Sequence, residues 1–176
     1  SNRERTDIPS ILSFPFVSGM KLVKSNDTLV KTGSSHNKLF FETVTDLNYG
    51  FASDQIKIME GEFLHNIGYK GEGMSIAVLD AGFTNVNSIS AFDALWNENR
   101  IYGFWDFVNN NDSVFDKHSH GTAVLSTMAG VQIGEIIGTA PNAGYWLLRT
   151  EDAPTETISE EYNWLAAAEY ADSAGA

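Results

Sequence analysis

The rhythm of apolar and polar positions changes near residue 45. Before it, the apolar block Ile11-Leu12-Ser13-Phe14-Pro15-Phe16-Val17 leads into the alternating Met20-Lys21-Leu22-Val23. Two polar stretches, residues 24–27 and 32–38, follow and read as exposed loops. Beyond residue 45, short apolar runs alternate with segments of helical spacing. Residues 74–79 and 145–148 are near-continuous apolar runs, the pattern of parallel strands buried on both faces. Residues 100–108 are aromatic and strand-like. Helical spacing predicts one helix over 54–64, closed by Gly68, and others over 88–96, 120–130 and 159–174. The last places Glu160 and Glu161 in its first turn, where the helix dipole favours acids, and carries an alanine-rich body. Residues 70–73 and 138–142 read as turns, and 131–137 as a loop. Strands alternating with helices predict an α/β fold with a parallel sheet and right-handed crossovers.

This divides the chain into residues 1–45 and an αβ part over 46–176. The first part reads either as a strand with a meandering arm or as the tail of a separate domain on a cleavable linker. With 176 residues, 43% of them hydrophobic, a packed core is expected. A formal net charge of -12 repels phosphate backbones and argues against nucleic-acid binding. The chain contains no cysteine, which excludes disulfides, thiolate metal sites and a cysteine nucleophile. No apolar stretch has the length of a membrane span. Residues 1–7 do not read as a signal peptide, so the signal of an exported parent is expected upstream of Ser1.

Candidate chemistry centres on Asp80-Ala81-Gly82, which closes the run 74–79, and on His120-Gly121-Thr122, which opens the helix 120–130. In open α/β sheets, sites gather at the carboxyl ends of strands. A buried carboxylate needs a partner there; a helix cap or a loop salt bridge would also satisfy it. A histidine opening a helix is a cap, a surface residue or a base. The dipole at a helix N-terminus disfavours imidazolium, which keeps the ring ready to take a proton. Gly121 is expected to leave open space beside the imidazole for a substrate. His118-Ser119-His120 with Asp80 could hold a metal, but a further ligand is lacking and no metal site is expected. His36 in a polar loop and His65 on a helix read as structural, and neither Ser119 nor Ser126 makes a convincing nucleophile.

Taken together, these residues resemble the subtilisin-like serine peptidases. The resemblance rests on Val78-Leu79-Asp80-Ala81-Gly82, on His120-Gly121-Thr122-Ala123-Val124 continued by Ala129-Gly130, and on the turn Gly138-Thr139-Ala140-Pro141. The order and spacing of the three carry the signal; one short motif alone is weak. Ala81 stands where the family usually has Ser or Thr, and residues 131–137 lack the Asn-rich character of the family's calcium loop. The family's oxyanion asparagine and its Gly-Thr-Ser-Met-Ala helix do not occur in these 176 residues.

The resemblance implies a subtilisin-like parallel sheet flanked by helices, truncated before the serine half. It implies a serine endopeptidase fragment, inactive alone, in which Asp80 and His120 are catalytic. Glu151, Asp152, Thr157 and Ile158 would lie beside a substrate bound as an added β-strand, with no metal and no cofactor. Residues 1–45 would hold the end of a propeptide and a linker. Thr150-Glu151-Asp152 and Glu160-Glu161 with Trp164 are similar to a Bacteroidetes-type secreted branch, which implies secretion or a cell-surface location. Expected partners are a peptide or protein substrate, the chain's own propeptide and the missing C-terminal part of the domain. A non-catalytic, subtilase-like peptide-binding module and a metal-dependent hydrolase are the other readings.

Overall fold

The computed structural model describes residues 47–154 and 157–176. The propeptide and linker expected over residues 1–45 lie outside them. Two short helices, α1 (Ser53–Ile58) and α2 (Gly61–Asn66), precede strand β1 (Ser75–Asp80). A 3₁₀ turn (Ser90–Phe92) and helix α3 (Asp93–Asn97) lead to β2 (Ile101–Asp106). Helix α4 (His120–Ala129), a small hairpin of β3 (Val131–Gln132) and β4 (Ile136–Ile137), strand β5 (Gly144–Arg149) and helix α5 (Ile158–Ser173) complete the order.

The principal sheet is parallel with the order β1-β5-β2, so the strand that comes last in sequence is central. Its alternation explains the continuous apolar runs. Tyr145 and Leu147 of β5 join Val78, Phe83, Phe92 and Leu125 in one core. Leu148, on the opposite face of the pleat, meets Ala167 and Ala171 of α5, with Ala77, Leu79 and Trp105 from the flanking strands packed alongside. Helix α5 thus approaches the sheet through alanines, while Tyr162, Trp164 and Leu165 face outward.

Two local expectations differ from the structure. The helix expected over 54–64 is broken at Met59-Glu60, where Glu60 adopts φ 53°. Ile56 is buried, whereas Ile58, Met59 and Phe63 are exposed, so the four apolar residues never shared one face. The loop expected over 131–137 contains the hairpin β3–β4, whose two-residue strands are too short to show alternation.

His65 has the structural role expected of it. It is buried, its Nε2 lies 3.0 Å from the Thr139 carbonyl, and its Nδ1 lies 2.8 Å from the Tyr49 hydroxyl. A carbonyl can only accept, so Nε2 carries the proton and Nδ1 accepts from Tyr49. This ring ties α2 to the turn that follows β4.

Candidate active site

The carboxyl ends of the three parallel strands meet in register. Asp80 of β1 pairs in the ladder with Arg149 of β5, which pairs on its other side with Asp106 of β2. Each strand therefore ends in a charged residue, as the junctions Leu79-Asp80, Trp105-Asp106 and Leu148-Arg149 show. Helix α4 begins above this rim. His120 Nδ1 lies 3.0 Å from Asp80 Oδ1 and 2.9 Å from Oδ2. A carboxylate accepts, so Nδ1 carries the proton and Nε2 presents its lone pair outward. The carboxylate is nearly buried and the imidazole side chain is 63% exposed. Ala81 N–H donates to Asp80 Oδ1 at 2.7 Å, which fixes the carboxylate from behind.

Backbone packing sets this distance. A Cβ at Gly121 would sit 2.5 Å from the Gly82 carbonyl oxygen and 3.0 Å from Asp80 Cβ. Gly82, at φ 151°, would place a Cβ 2.5 Å from His118 N. The space expected beside the imidazole at Gly121 is thus filled by the turn after β1, and the glycine serves close packing rather than substrate access. Thr122 Oγ1 donates to the Thr84 carbonyl at 2.8 Å, a second tie between α4 and that turn. His118 uses Nδ1 to accept from His120 N–H at 3.1 Å and so satisfies one of the free N–H groups at the start of α4.

Behind the pair lies a charge cluster of which the sequence pointed only to Asp152, and there as a substrate-side residue. Arg149, almost fully buried, donates through Nη1 to both oxygens of buried Asp106, at 3.1 and 2.9 Å. Its Nη2 reaches Asp152 Oδ1 at 2.8 Å and its Nε reaches the Ala81 carbonyl at 2.9 Å. Asp106 also accepts from the backbone N–H groups of Val108 and Asn109. The signal available in the sequence was the charged residue closing each apolar strand.

The four residues expected beside the substrate lie together along one cleft of about 740 Å³, which Thr150, Glu160, Glu161 and Trp164 also line. Residues 151–154 form coil and a turn rather than a strand. Asp152 is committed to Arg149, and its N–H donates to Glu160 Oε1 at 3.1 Å. Glu151, Thr157 and Ile158 are exposed.

Although Glu151 is largely exposed, partial desolvation against the cleft, then the negative charges of Asp80 and Glu160, hold its carboxyl above the ordinary glutamate range; His120 works against them. The folded chain therefore holds this proton more tightly than the unfolded chain. Its stabilising share is complete below the ordinary glutamate value and falls as pH rises through the elevated one. Glu151→Gln, which cannot ionise, is expected to match the parent's melting temperature in acid and exceed it at neutral pH. A pH series of thermal unfolding curves checks this.

Residues 71–174 match the model of the subtilase family, Peptidase S8. The chain belongs to the subtilase family. Subtilisin E of Bacillus subtilis is 30% identical over 105 residues, covering 58% of this chain and 24% of the relative. A thermostable alkaline protease of Halalkalibacterium halodurans is 30% identical over 99 residues, covering 55% and 24%. This subtilase chain therefore spans 24% of the length of these curated relatives. Among solved structures, the MycP3 protease from the type VII (ESX-3) secretion system superimposes with a TM-score of 0.54 at 21% identity. That match covers 75% of this chain and 36% of the other, and it supports the subtilisin-like fold.

Proposed function

We propose that this chain is the part of a serine endopeptidase that carries the acid–base pair. The observation that carries the reading is the His120 Nδ1 contact with both Asp80 oxygens, which leaves Nε2 oriented outward from the sheet rim. In this reading His120 Nε2 takes the proton of a serine hydroxyl as it attacks the peptide carbonyl, and returns it to the leaving amine. Asp80 holds the ring in the productive tautomer and stabilises the imidazolium. The serine and the oxyanion donor come from polypeptide following Ala176, so the 176-residue chain has no peptidase activity of its own.

Substrate passes along Glu151, Asp152, Thr157 and Ile158, and of the two acids Glu151, rather than the Arg149-bound Asp152, suits basic side chains. Residues 1–45 supply the propeptide end and linker of a secreted or cell-surface enzyme of the Bacteroidetes-type branch.

A fluorophosphonate probe, which reacts only with an activated serine, tests the reading. The 176-residue chain is expected to remain unlabelled. The parent polypeptide extended past Ala176 is expected to be labelled on one serine, and His120→Ala in it to abolish labelling. An extended polypeptide that stays unlabelled, or labelling indifferent to His120, overturns the proposal.

A further inference from the structure

We infer that Arg149 is a positioning residue for the Asp80–His120 pair, acting through the backbone of Ala81. The inference rests on the endopeptidase reading and extends it to a residue that does not touch the reacting atoms. Ala81 is held at both ends of its polar backbone. Its carbonyl accepts from Arg149 Nε at 2.9 Å, and its N–H donates to Asp80 Oδ1 at 2.7 Å. The carboxylate so held meets His120 Nδ1 through both oxygens. An unbroken line of hydrogen bonds therefore runs from the guanidinium to the imidazole.

The guanidinium is itself held by carboxylates at both of its terminal nitrogens. Both Asp106 oxygens face Nη1, Asp152 Oδ1 faces Nη2, and the Arg149 side chain is only 5% exposed. A planar fork anchored on two carboxylates has one orientation left for Nε, and that orientation points at Ala81. Its single positive charge is shared between the two carboxylates, Asp106 and Asp152, behind Asp80. Lysine at this position would keep the charge but not the fixed Nε–H, which separates positioning from simple neutralisation.

The test is histidine proton NMR on the 176-residue chain at low temperature, following the Nδ1 proton of His120. In the parent chain a downfield Nδ1–H resonance is expected; its absence is the failure of the Asp80–His120 reading itself. With that resonance present, Arg149→Lys is expected to raise its exchange with water about tenfold, the effect of losing one hydrogen bond to a charged donor. Backbone amides within α4 should keep their protection. Unchanged Nδ1 exchange in a folded Arg149→Lys chain overturns the inference while leaving the pair intact. If the lysine variant does not fold, the double variant Arg149→Met/Asp106→Asn removes both buried charges together and is expected to show the same acceleration. Loss of folding in both variants overturns the inference as well, because Arg149 is then a structural residue only.

Discussion

Asp80→Asn lowers kcat by about 10⁴-fold in the polypeptide that carries the nucleophile, with little change in stability. The reason is the tautomer. Ala81 N–H binds Asp80 Oδ1, so an asparagine keeps its oxygen there and turns its NH₂ toward His120. The nearer of the two oxygens facing Nδ1, at 2.9 Å, is then replaced by a donor, and the other, at 3.0 Å, is left shared with the Ala81 N–H. Nδ1 must accept, the ring proton moves to Nε2, and the lone pair needed for general-base action disappears. Asparagine is nearly isosteric with aspartate, so the backbone contacts of Gly82 and Gly121 survive. Steady-state hydrolysis of a peptide amide, together with a urea melt, measures both halves of the expectation. A drop of less than about tenfold would mean that Asp80 does not govern the imidazole.

The largest loss of stability is expected at Asp106 rather than at the pair. Asp106 is fully buried and Arg149 is 5% exposed, so Asp106→Ala strands a guanidinium in the interior. Removing one member of a buried ion pair costs about 3–5 kcal/mol, most of it from the charge left behind. The same change strips acceptors from the N–H groups of Val108 and Asn109. Asp152 softens the effect only slightly, because its side chain is half-exposed and its attraction is screened by water. Urea unfolding midpoints measure the cost. A loss below about 1 kcal/mol would show that solvent reaches Arg149 and that the cluster is not a buried one.

These expectations show how differently parts of the molecule are written in the sequence. The strands were legible because both faces of β5 are covered, so nearly every position had to be apolar. The helix carrying His120 was legible because its motif and its spacing agree. The break at Glu60 was not, because a single left-handed residue without glycine leaves no compositional mark. Asp80 and His120 could be named from short motifs, yet their meeting depends on Gly121 lying against Gly82, a contact read from the sequence as open space. Arg149 went unnoticed because its partners at positions 81, 106 and 152 are scattered. They converge only when three strands end at one level.

The central place of β5 also dictates when this protein can begin to fold. Among the described residues, every hydrogen bond between strands of the main sheet involves β5, although β1 and β2 are synthesised well before it. On the ribosome, a nascent chain that has not yet emerged through Arg149 holds two strands without a template. The sheet, and with it the alignment of Asp80 beneath His120, cannot close before β5 is available. Such long-range pairing is slow, and until it forms the apolar faces of the early strands stay uncovered.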